Sequence, residues 1–191
     1  MKKVFIINGN SENGVTAFEK CVGRYVTTYK YSIIELPKMA AKILGWDGGE
    51  TTADHKFLRS LKDLTAQYSD ILFDDIKLFV KDFMLNKIDA EVLFLEMKDA
   101  EDIKLAALEL GAETILIRSS NRKEAKNKRA DTNIKKYKYD YIIENNGTLK
   151  QLLKTAKRFT DTVIKEKTER KYPKIISNEI KAVVFDCKKE V

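Results

Sequence analysis

The feature that most narrows the fold is an alternation. Short apolar, partly β-branched runs are separated by segments with helical spacing. Residues 4–8 (VFIIN), 31–37 (YSIIELP), 90–97 (AEVLFLEM), 113–119 (ETILIRS) and 139–145 (YDYIIEN) read as strands. Residues 15–27, 38–45, 54–68, 70–86, 99–112 and 146–166 read as helices. Strands that alternate with helices form right-handed crossover units and a parallel sheet covered on both faces. The expected class is therefore α/β: three layers around a five-stranded parallel sheet. The two consecutive helices within 54–86 break the alternation, and we expect them to form a helical cap over the carboxyl edge of the sheet. Ligands of such sheets bind at that edge.

At 191 residues the chain is expected to form one domain over 1–164. A tail over 165–191 carries two further strand-like runs, KIIS and IKAVVFDC, which could pair as a hairpin on the sheet edge. Apolar content of 43% with 34% charged residues excludes a disordered chain. No apolar run approaches the ~20 residues of a spanning helix, and the run after Met1-Lys2-Lys3 is too short for a secretory signal. Cys21 and Cys187 make neither a metal spacing nor a disulfide framework, which fits a reducing cytoplasm.

Net charge is +7, and the excess is concentrated. Between residues 119 and 138 stand eight Lys/Arg, among them Arg122 and Arg129, against Glu124 and Asp131. Such a local field favours an anionic partner: a phosphate, a nucleotide or a nucleic acid. The alternative is an ordinary solvated surface.

The first strand ends in GNSENGVT. Gly9, Gly14 and Thr16 fall in register with the phosphate-binding pattern G-x-x-x-x-G-K-[ST], but Val15 stands where the pattern has lysine. Two glycines let the backbone bend so that successive amides face an anion at a helix N-terminus, and Thr16 sits where a hydroxyl would hold Mg²⁺. Val15 brings no ammonium, and Glu12 places a carboxylate inside the loop. Loss of one preorganised charge-stabilising donor lowers a rate by ~10²–10³. A replacement cation is needed for fast phosphoryl transfer, and Arg122, Arg129 and Lys98 are the candidates. The other reading of the loop is a glycine-rich turn without a ligand.

Four stretches carry a family resemblance: VFIINGNSENGVTAFE, AKILGWDGGETTADHKFLRSLKDL, EVLFLEMKDAEDIKLAALELGAETILIR and ADTNIKKYKYDYIIENNGTLKQLLKTAKRF. Together they make the chain resemble a P-loop nucleotide kinase of the deoxynucleoside monophosphate kinase type, with a degenerate loop. The resemblance implies a P-loop NTPase-like fold, a nucleoside-monophosphate cap over about 46–88, a basic lid over about 119–138, and Mg²⁺ with ATP as donor. It implies that Gly9, Asn13, Gly14 and Thr16 cradle phosphate and that Arg59, Lys98, Arg122 and Arg129 offset charge. Asn145, Asn146 and Gly147 would lie near the donor base. Apart from the resemblance, Glu96 ends a strand at the carboxyl edge, where it could join Thr16 in holding Mg²⁺, through a water.

Other residues narrow the choice. His55 is the only histidine, so no Ser-His-Asp or multi-histidine metal site can form; on an exposed helix it reads as surface. Trp46 suits either a stacked base or an anchor for the cap helices. Asp99, Glu101 and Asp102 read as the negative first turn of a helix. Tyr137, Tyr139 and Tyr141 beside lysines suggest an aromatic platform, while period-two spacing in a strand would pack all three on one sheet face. Three functions follow from these features. They are phosphoryl transfer from ATP to a nucleoside monophosphate, nucleotide or anion binding without turnover, and a basic nucleic-acid-associated domain.

Overall fold

A computed structural model describes residues 2–9, 14–119, 137–165 and the backbone of 183–186. Asn13, the basic residues Arg122 and Arg129, Glu12, Cys187 and the KIIS run lie outside the described residues. Six described strands form one sheet: β1 (Lys3–Asn8), β2 (Thr28–Ser32), β3 (Val92–Glu96), β4 (Glu113–Arg118), β5 (Tyr141–Glu144) and β6 (Val183–Asp186). Their order is β2-β3-β1-β4-β5-β6 and every pairing is parallel. The expected α/β class is what is found, and the strand expected in the IKAVVFDC run joins the five others as a sixth, at the sheet edge. β6 comes from the tail and runs parallel to β5, with Tyr141 opposite Val183.

Strand alternation divides the core into two. On one face Phe5, Ile7, Phe94, Ile115 and Ile143 meet helix α1 (Val15–Val22) and helix α6 (Leu149–Phe159). Aromatic rings fill this layer: Phe159 lies 5.5 Å from Phe5 and 5.6 Å from Phe18, centroid to centroid. Cys21 is buried in the same layer. On the other face Ile6, Leu93, Leu95 and Leu116 meet α4 (Ile71–Met84) and α5 (Ala100–Leu110). Two further helices, α2 (Glu35–Ile43) and α3 (Thr52–Tyr68), pack on each other, and α3 packs on α4.

Several local expectations are corrected. The second strand is 28–32, not 31–37, and α2 already begins at Glu35. Pro37 does not stop a strand; it sits in the first turn of α2, where no intrahelical N–H is needed. α1 ends at Val22 rather than 27, where the chain tightens into a turn whose Arg24 and Tyr25 amides donate to carbonyls three residues back, Cys21 at 3.3 Å and Val22 at 2.9 Å. Thr51 caps α3, which starts at Thr52 rather than 54, and Asp54 completes the capping box from its third position. α4 buries Ile76, Val80 and Phe83 as its spacing predicts, while α3 buries only Leu58 of its apolar stripe and leaves Phe57 and Leu64 exposed. The tyrosine triplet does not share a face. β5 starts at Tyr141, so Tyr139 precedes the strand and packs with Leu116 on one side while Tyr141 packs with Phe5 on the other.

Candidate anion site at the carboxyl edge of the sheet

β1, β3, β4 and β5 all end at the same edge, and α1 starts there. Gly9 follows β1 with φ +152°; a Cβ on it would lie 2.6 Å from the Ile117 carbonyl oxygen and 2.8 Å from Val15 Cγ2. Its amide donates to its neighbour's side chain, Asn8 Oδ1, at 2.7 Å. Asn8 is buried and its Nδ2 donates to the Tyr139 hydroxyl, 2.7 Å. This polar pair fixes the end of β1 from beneath. Gly14 takes a left-handed conformation, φ 89°, as the N-cap of α1, and the Asn145 side-chain amide occupies the place its Cβ would take.

α1 therefore begins on a glycine with no side-chain cap and no acidic residue in its first turn. The first amides of a helix lack intrahelical acceptors and carry the positive end of its dipole. Thr16 is exposed in that turn. Val15 is 5% exposed, belongs to the core under α1 and lies with its Cγ2 against Gly9. A packing residue thus stands at the lysine position of the pattern.

The expected site residues divide by place. Asn145 packs on Gly14 and its amide donates to the Arg118 carbonyl at 2.8 Å, so these two predicted positions do meet. Asn146 accepts from the Ser119 hydroxyl, 3.3 Å, and Gly147 leads into the Thr148 capping box of α6. Lys98 and Arg59 are exposed. Lys62, one turn after Arg59 on α3, donates to Asp99 at 2.6 Å and to Asp102 at 2.7 Å. That clamp brings the flank of α3 carrying Arg59 to the end of β3, where Lys98 lies. Burial alone would pull the Lys62 ammonium down, but its bonds to Asp102 and Asp99 carry its pKa above the ordinary value. Asp99 and Asp102 thus hold a neighbouring helix, and Asp99 makes no side-chain cap bond to α5.

Glu96 is engaged by a protein cation. Lys30 Nζ lies 2.8 Å from its carboxylate and 3.8 Å from Glu19 on α1. Among the described residues no group of three or more His, Cys, Asp or Glu could hold a metal ion. The edge fits a phosphate better than a metal of its own: Thr16 offers one hydroxyl, and the carboxylate expected to help it is already neutralised. Two features escaped sequence reading. One is the Glu19–Lys30–Glu96 cluster, whose members lie far apart in the chain. The other is Arg118 at the end of β4, whose guanidinium meets Glu144 at 2.5 Å beside Asn145. The basic residues of 122–138 draw attention away from it, and only the strand's end point places it at the edge.

No protein-family profile matches the chain, and no curated protein is detectably similar to it in sequence. Among solved structures it is similar to a protein of Chloroflexus aurantiacus assigned provisionally as a kinase, with 13% identity and a TM-score of 0.38. That match covers 62% of this chain and 60% of the other, so the chain spans less than two thirds of that protein. It is also similar to shikimate kinase from Aquifex aeolicus, with 11% identity and a TM-score of 0.45 over 83% of this chain and 96% of the other.

No helix in the described residues is long and apolar enough to cross a membrane.

Proposed function

We propose that this protein binds the phosphate groups of a nucleotide at the β1–α1 junction and transfers phosphoryl groups slowly at most. The observation that carries this reading is the pairing of Gly14 in the left-handed region with an inward-facing Val15. The first supports an anion-binding turn. The second removes the fixed ammonium that speeds transfer by neutralising developing charge. ATP is the donor nucleotide that the family resemblance suggests, and a deoxynucleoside monophosphate the acceptor. Mg²⁺ would arrive with the nucleotide and meet the Thr16 hydroxyl, supplying charge neutralisation between phosphate oxygens. Arg118 and Lys98 are the described cations best placed at the edge to add charge, with Arg122 and Arg129 as candidates outside the described residues.

Calorimetric titration with ATP and ADP, followed by an assay for ADP formation with Mg-ATP and each deoxynucleoside monophosphate, tests the reading. Saturable nucleotide binding with turnover far below a typical kinase rate of about 1–100 s⁻¹ is the expected result. Absence of binding to either nucleotide sinks the proposal, and brisk turnover sinks its second half.

A further inference from the structure

Among the described residues, Glu19 is the one buried side chain with a polar atom left unpaired. It projects from α1 one turn after Thr16, on the same flank, and is 6% exposed. Its Oε1 has no hydrogen-bond partner among the described residues. From β2 it faces Lys30, and from β3 it faces Glu96; Glu35 of α2, itself paired with Lys38, acts on Lys30 from the outside. α6 meets α1 with the apolar groups Leu152, Ala156 and Phe159. Two carboxylates thus share one ammonium that is closer to Glu96 by a full ångström. With both ionised the trio carries a net single negative charge. Register places that charge just below the candidate site: Glu96 is opposite Ile7, two residues before Gly9.

A buried carboxylate with one unpaired oxygen and a like charge nearby favours its protonated form. We infer that Glu19 takes up a proton far more readily than an ordinary carboxylate, and that this proton discharges the cluster and strengthens anion binding at the start of α1. The inference rests on the proposed anion site and adds its regulation. Its direction agrees with the electrostatics of the group: burial first, then the Glu96 charge, raise the Glu19 pKa to about 7, with Lys30 opposing. Removing one negative charge roughly 10 Å from a bound anion should tighten binding by about three- to tenfold.

The test uses the full chain, a Glu19→Gln variant and sulfate, an anion that does not itself titrate near neutrality. Side-chain carboxyl resonances give the Glu19 titration directly, and backbone amide shifts of Gly14 and Thr16 give sulfate affinity between about pH 5.5 and 8.5. The expected result is a Glu19 midpoint near neutrality and a sulfate affinity that falls with rising pH more steeply in the wild type than in Glu19→Gln. A Glu19 midpoint below about 5.5, or the same sulfate profile in both proteins, overturns this inference alone. Sulfate that leaves those amides unmoved at every pH overturns the anion site itself, and the inference with it.

Discussion

At position 9 any side chain meets the Ile117 carbonyl and the Val15 methyl at once, and neither can yield without moving β4 or the core. Gly9→Ala should therefore lower stability by about 2–3 kcal/mol, read as a shift in urea midpoint at unchanged slope. Val15→Lys is the informative second change. If position 15 faced the loop, a lysine there would restore the missing charge. Because Val15 is part of the core, lysine must instead leave a packed layer or bury its ammonium, and we expect a loss of about 1–3 kcal/mol with no large gain in ADP formation. A stable variant with turnover raised more than about a hundredfold would show that position 15 reaches the phosphates. Glu19 gives a pH prediction with a definite sign. Its folded pKa of about 7 lies above the ordinary value of 4.5, so the native state binds more protons between those values. Stability should be greatest at the acidic end of that window, fall as pH rises through it, and stay low above it. Glu19→Gln removes this dependence and should make the protein more stable than wild type at pH 8, on the order of 1–3 kcal/mol, in denaturation curves at both ends of the range.

Among the elements, α3 is held in an unusual way. It buries one apolar side chain, Leu58, yet Lys62 fastens it to the start of α5 through Asp99 and Asp102. Lys62→Met should cost about 1–2 kcal/mol and raise hydrogen exchange in α3 ahead of α4, whose Ile76 and Phe83 are fully buried. This contrast also shows what could be read in the chain. The strands at β1, β3 and β4 and the face of α4 were legible because apolar periodicity and burial coincide there. β2 was misplaced because its residues 28–32, TYKYS, form an edge strand whose polar and aromatic mixture lacks a continuous apolar run. The strand-to-helix turn at the candidate site was legible from Gly9 and Gly14. The direction of Val15 was not, since spacing places a residue on a helix but does not show which of two packed neighbours it faces. The Lys30 link to Glu96 and Glu19 was illegible for a similar reason: it joins three elements through tertiary register alone.

At the scale of the molecule, a parallel sheet puts the ends of β1, β3, β4 and β5 at one edge and gathers Gly14, Asn145, Arg118 and Lys98 there from distant parts of the chain. The net charge of +7 adds a long-range attraction for anions. Nucleotide affinity should fall several-fold between roughly 0.05 and 0.5 M salt as that field is screened. Titrations at a series of salt concentrations would read this, and a flat profile would mean that contact hydrogen bonds dominate over the field. The most direct measurement is a crystal structure with a non-hydrolysable ATP analogue at saturating concentration. The account predicts phosphate density against the Gly14 and Thr16 amides at the start of α1, with the Val15 side chain still in the core. Density bound elsewhere, or a β1–α1 junction with no phosphate on it, would contradict it.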